Sequence, residues 1–240
     1  MSEEPESVET AVEAERIRRV YRTYDTPART RLYDGANPGN RAIVEERVRR
    51  MRHLLAEAGL ADLGGRRVLD VGCGHGHELA RMRELGARGG DLLGVDLVPE
   101  RIDRARELHP DLEFRVADAT RLELPSESFD LVLSFTVLSS VLATDAARRI
   151  AAEMRRMLRP GGAILWYDLR RDNPRNANVR GLPASEVRAL FPGLRARLEP
   201  VTLAPPLARR LGPLTRPGYP ALAAVPFLRS HLVGVLARRD

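Results

Sequence analysis

The chain contains no lysine and no glutamine, so all 39 of its basic residues are arginine. It has one cysteine, Cys73, which excludes a disulfide framework and fits a reducing compartment. No run of 18 apolar residues occurs, which excludes an apolar membrane-spanning helix. The N-terminus is acidic rather than basic and then apolar, so it does not read as a secretory leader. These absences together place the expected location in the cytoplasm. What is present is ordinary: 43% hydrophobic and 30% charged residues over 240 positions suit one α/β domain with extra elements. A chain this long buries roughly 70–75% of its unfolded surface and needs no structural metal to fold. A net charge of +6 and a pI near 10.3 resemble a nucleic-acid signature. However, the all-arginine inventory, with abundant alanine, glycine, proline and leucine, is the mark of a GC-rich coding bias. Basicity alone therefore carries little.

The first sixteen residues hold six glutamates and little apolar material, so 1–16 reads as a disordered acidic lead-in. Residues 17–64 read as an N-terminal helical lid. They contain Tyr21, Tyr24 and Tyr33, a turn-rich Asp34–Asn40 stretch, and a helix over 41–58 with apolar residues at helical spacing. From 65 onward, strands at 68–71, 91–95, 112–116, 130–135 and 163–169 alternate with helices at 75–85, 99–109 and 145–158. Near-continuous apolar strands alternating with helices mean a doubly wound parallel sheet covered on both faces. The C-terminal third adds a short helix at 186–191 and strands at 195–203 and 232–236. Between those strands, a proline-rich insert at about 204–228 is too proline-dense for one long helix.

The chemistry concentrates at the ends of the strands. Asp70-Val71-Gly72-Cys73-Gly74-His75-Gly76 follows one strand and opens a helix, where backbone N–H groups and the positive helix end can approach a ligand closely. A P-loop needs Gly-Lys-Ser/Thr and the chain has no lysine; the dinucleotide fingerprint needs a third glycine further on. The next strand ends in Asp96, placed where a carboxylate can hold a ribose diol, and the third ends in Asp118, able to accept an exocyclic amine.

With Asp70–Gly76, Leu93–Asp96, Val116–Ala119, Ser128–Phe135 and Leu158–Gly162 in that order, the chain resembles the class I, Rossmann-like S-adenosylmethionine-dependent methyltransferases, particularly the group acting on small molecules. The resemblance spans 66–168. It implies a seven-stranded sheet with one reversed strand, S-adenosyl-L-methionine as cofactor and S-adenosyl-L-homocysteine as product. It places Asp70, Gly72, Cys73 and Gly74 around the amino-acid end of the cofactor. Asp96 would hold the ribose, Leu97, Asp118 and Ala119 the adenine, and Phe135 would lie near the transferred methyl.

Methyl transfer from a sulfonium needs mainly proximity and alignment; a hydroxyl acceptor also needs a base. The base candidates are His231, Asp168 and Tyr33, with Tyr24 and Asn173 also able to face the methyl. Against these stand plainer roles: a capping histidine, and an aspartate bonding loop N–H groups. Cys73, His75 and His77 alternate like metal ligands, but no further cluster completes a zinc site. Asp172-Asn173 lacks the partner carboxylate after the fourth strand that a magnesium-dependent site requires, and no metal is expected. The expected partner is a small-molecule acceptor, in a monomer or homodimer, with nucleic acid disfavoured. Two alternatives stay open: an RNA- or protein-modifying methyltransferase using the arginines after Arg195, and a cofactor-binding regulatory module without transferase activity.

Overall fold

The structure, a computed structural model, describes residues 8–24 and 34–238. Among the described residues two helices come first, α1 (Val8–Arg22) and α2 (Pro38–Glu57). The main body follows as β1 (Val68–Val71), α3 (His77–Arg81), β2 (Leu92–Asp96), α4 (Pro99–Leu108), β3 (Glu113–Val116), β4 (Phe129–Phe135), α5 (Thr144–Met157) and β5 (Leu158–Leu169). The last third is α6 (Ala184–Leu190), β6 (Leu194–Leu203), α7 (Pro205–Arg210), α8 (Thr215–Ala223) and β7 (Arg229–Arg238).

The strands form one seven-stranded sheet in the order β3-β2-β1-β4-β5-β7-β6. Strands β1 to β5 pair in parallel, and β7 runs antiparallel to both β5 and β6. Every residue of β1 and β2 is buried, as two-sided cover demands. One face packs Leu54, Leu79, Met82, Ile102 and Leu165; the other packs Ile150, Met154, Trp166, Phe191 and Leu236. The strand order reverses between β1 and β4, where open sheets bind ligands at their C-terminal edge.

The acidic start differs from the sequence expectation. Residues 1–7 lie outside the described residues, and from Val8 the chain is helical rather than disordered. The reason is tertiary: the Glu13 carboxylate accepts the Leu142 backbone N–H and pairs with Arg16, so an acidic segment is held by the loop after β4.

The turn-rich stretch before α2 also has a structural task. Asn37 caps α2 by accepting the Gly39 and Asn40 N–H groups, with Pro38 in the first turn. A Cβ at Gly39 would lie 2.1 Å from the Ala208 carbonyl oxygen, so only glycine lets α2 and α7 touch backbone to backbone. Asn40 Oδ1 then accepts Arg209 Nε at 2.9 Å. The proline-rich insert forms short helices, and this contact fastens it beside the C-terminal ends of the strands.

Candidate active site

The glycine turn after β1 depends on backbone conformations that side chains disfavour: φ is +70° at Gly72, +54° at Gly74 and +80° at Gly76. The N–H groups of Gly72 and Cys73 both donate to the Val95 carbonyl, which joins the turn to β2. Asp96, at the end of β2, accepts the Gly74 N–H on one carboxylate oxygen and the Val98 N–H on the other, both at 2.9 Å. Arg101 lies 3.8 Å from it. Each oxygen keeps a further lone-pair position.

Asp70 is 2% exposed, and among the described residues its carboxylate takes no hydrogen bond and no ion pair. Burial, then the nearby Glu78 and Asp96 charges, push its carboxyl well above the ordinary range. Such an orphaned buried acid fits a cationic ligand, and an amino-acid ammonium is one. Asp118 is shaped by its bond to the Thr120 N–H, and with Leu97 and Ala119 it lines the same space. The residues present therefore fit S-adenosylmethionine from its amino-acid end to its adenine.

That space is a cavity of about 1850 Å³. Typical small-molecule pockets hold roughly 300–1,000 Å³, so room for a second ligand remains beside the cofactor positions. The far end is lined by β5, β7 and α2. His231 and Tyr167 stack with ring centroids 4.7 Å apart, and the Tyr167 hydroxyl bonds Thr202 Oγ1 at 2.9 Å. The Arg47 guanidinium lies over the Tyr167 ring at 5.0 Å and over Phe135 at 5.7 Å, and pairs with Glu78. Burial first, and the Arg47 charge second, lower the His231 imidazole to about 3. The ring is neutral at physiological pH.

Register explains which candidates meet. Leu169 pairs with His231 and Asp168 with Leu232 across the antiparallel β5–β7 ladder. Alternation puts His231, Leu169 and Tyr167 on one face and Asp168 on the other. Asp168 therefore does not join the cavity, which corrects its reading as a base candidate. It is wholly buried, accepts the Ser139 and Leu169 N–H groups, and its carboxyl is raised by burial to about 6. Tyr33 lies outside the described residues. Tyr21 and Tyr24 of the α1 region line the cavity: Tyr21 bonds Ser140 Oγ beneath Arg101, and Tyr24 bonds Asn176. Asn173 also lines it. Cys73 faces the cavity with its thiol raised by burial. Among the described residues no three His, Cys, Asp or Glu side chains gather as metal ligands.

Sequence reasoning missed Arg47, Glu46, Thr202 and Ser230. Glu46 is buried and accepts the Thr202 N–H and the Tyr219 hydroxyl, which fixes Thr202 at an unusual φ of +66°. For a β-branched residue that conformation is strained, and strain of this kind clusters at functional sites. The Ser230 hydroxyl donates to the Thr202 carbonyl at 3.2 Å and meets His231 Nδ1 at 2.8 Å. None of these residues belongs to a local motif, and Arg47 is one of 39 arginines.

Comparison with known proteins agrees with this geometry. Residues 68–162 match the family described as methyltransferase domain. The phthiotriol/phenolphthiotriol dimycocerosates methyltransferase of Mycobacterium tuberculosis is 36% identical over 131 residues, covering 54% of this chain and 47% of that protein. The fatty-acid O-methyltransferase of Mycolicibacterium smegmatis is 36% identical over 115 residues, covering 47% and 40%. The chain thus spans about half the length, or less, of these curated relatives. In fold it is similar to the Burkholderia thailandensis 1,6-didemethyltoxoflavin-N1-methyltransferase, crystallised with 1,6-didemethyltoxoflavin and S-adenosylhomocysteine. That likeness has a TM-score of 0.65 at 20% identity and covers 100% of this chain and 94% of the other. Through residues 68–162 the chain is thus similar to the methyltransferase-domain family, and over its whole length it shares the fold of that solved methyltransferase.

Proposed function

We propose that the protein transfers a methyl group from S-adenosylmethionine to a hydroxyl of a small-molecule acceptor. The observation that carries this reading is the continuity of one cavity, from the glycine turn, Asp70 and Asp96 to the neutral ring of His231. The relatives named for fatty acids and phthiotriol lipids favour an acceptor with a long apolar body.

His231 is the proposed base, and its neighbours set its tautomer. A carbonyl only accepts, so the Ser230 hydroxyl spends its proton on Thr202 and receives a hydrogen bond from His231 Nδ1–H. The lone pair is then left on Nε2. When bound, S-adenosylmethionine supplies a methyl on a sulfonium, a good leaving group. Nε2 would take the proton of the acceptor hydroxyl as that oxygen is methylated. A weak base suffices, because the oxygen becomes strongly acidic as it is alkylated. Tyr167, Arg47 and Phe135 wall the reacting centre and hold the acceptor in line.

The test is transfer from methyl-labelled cofactor into a cell extract separated into organic-soluble, RNA and protein fractions. Label in the organic-soluble fraction that resists alkali is expected, since an ether survives alkali and an ester does not. Label confined to RNA or protein, or cofactor binding without transfer to any fraction, overturns the proposal.

A further inference from the structure

The insert that closes the acceptor end of the cavity is unusual in what it leaves outside. Its inner side is packed: Ala208, Tyr219 and Ala223 are buried against Leu203, with Ile43 of α2 beside them. Outside, Phe227 is 72% exposed, Leu214 66%, Val225 45% and Leu207 37%. These are half of the large apolar side chains the described surface exposes. The insert carrying them is basic. Residues 200–238 contain no aspartate or glutamate. Arg171, Arg210 and Arg216 are exposed and form no ion pair among the described residues. The Arg171 guanidinium lies 4.8 Å over the Phe227 ring and donates to the Phe227 carbonyl, so cation and apolar ring are presented together.

The patch is continuous with the site. Leu207, Phe227 and Arg210 rim the same cavity that His231 lines. Phe227 stands four positions before His231, at most about 14 Å of extended backbone.

From these observations we infer that the insert docks on a bilayer surface carrying anionic lipid, so that the acceptor enters the cavity from the lipid phase. Exposed apolar side chains set among arginines, on an insert that itself carries no acid, match the mixed apolar and anionic chemistry of such a surface. The short path from rim to His231 suits an acceptor whose reactive group lies near its polar end. This inference rests on the proposed methyl transfer for its meaning, but docking itself requires no transfer.

The experiment is sedimentation of the full chain with vesicles of equimolar phosphatidylglycerol and phosphatidylcholine, against vesicles of phosphatidylcholine alone. Binding is expected to the anionic vesicles, weaker by roughly tenfold on neutral ones and weakened by salt. Two variants test the two halves of the patch, Phe227→Ser with Leu207→Ser, and Arg210→Glu with Arg216→Glu. Both should lose roughly tenfold with their melting temperatures unchanged, since these side chains are exposed. Absence of sedimentation, or equal binding to both vesicles, overturns the inference. So does a concentration-dependent dimer that Phe227→Ser dissolves, which would make a second copy of the chain the occupant. An Asp96→Ala variant that no longer binds S-adenosylhomocysteine yet still sediments separates docking from the cofactor reading.

Discussion

Replacing Asp96 by alanine is the most direct challenge to the site. The carboxylate has about four lone-pair positions. Two are taken by the Gly74 and Val98 N–H groups, which leaves one on each oxygen for the two hydroxyls of a ribose. Hydrogen bonds to a charged group contribute about 1.5–3 kcal/mol each, so losing the pair costs at least about 3 kcal/mol of binding. At 1.4 kcal/mol per tenfold, the Kd for S-adenosylhomocysteine rises by roughly two orders of magnitude. The substitution also deprives the Gly74 N–H of the glycine turn and the Val98 N–H after β2 of their acceptor, so the loss has to be assigned to the ribose. Titration calorimetry with S-adenosylhomocysteine gives the first number, and competition by adenosine and by adenine separates the causes. Adenosine should lose affinity with the full ligand while adenine keeps most of its own. A Kd for S-adenosylhomocysteine within about threefold of the parent would refute the ribose role, because even one lost charged bond exceeds that. Equal losses for adenine and adenosine would show collapse of the turn instead.

Other consequences can be measured separately. Burial raises the Asp70 carboxyl, and an ammonium beside it would lower it again, so cofactor binding should release a proton. Binding enthalpies should then differ between buffers of unlike ionisation enthalpy, and affinity should rise with pH; buffer-independent enthalpies contradict this. Asp168 is held at about 6 against an ordinary 3.8, a separation equivalent to about 3 kcal/mol. Because the folded value is raised, this stability is full below about 3.8 and is lost as pH rises through about 6. Asp168→Asn should remove that dependence while leaving transfer intact. Melting curves of parent and variant that stay parallel from pH 5 to pH 8 refute it. Ser230→Ala frees His231 to carry its proton on Nε2, a change that nitrogen chemical shifts of the ring report; the parent should show protonated Nδ1. Thr202→Val leaves the Tyr167 hydroxyl buried without its partner and should cost about 1–3 kcal/mol, read as a lower melting temperature.

The sequence by itself determined the cofactor half. Alternating apolar runs dictate a parallel sheet, and glycines next to carboxylates at strand ends are local signals, because turn geometry and its ligand contacts lie within a few residues. Asp70, Gly72, Gly74, Asp96 and Asp118 all line one cavity, in or just beyond β1, β2 and β3. The acceptor half was decided by tertiary structure. Whether Tyr167 or Asp168 faces the cavity is a matter of strand register, since one residue reverses the face. Asp168 fell on the buried side for that reason, and His231 on the open one. Arg47, Glu46, Thr202 and Ser230 come from α2, β6 and β7, and they meet only because an antiparallel pair and a glycine-mediated helix contact close the sheet's far end. No spacing along the chain encodes such a meeting. It arises from long-range packing, which also holds the acidic start, read as disordered, as α1 by giving Glu13 a backbone N–H to hold.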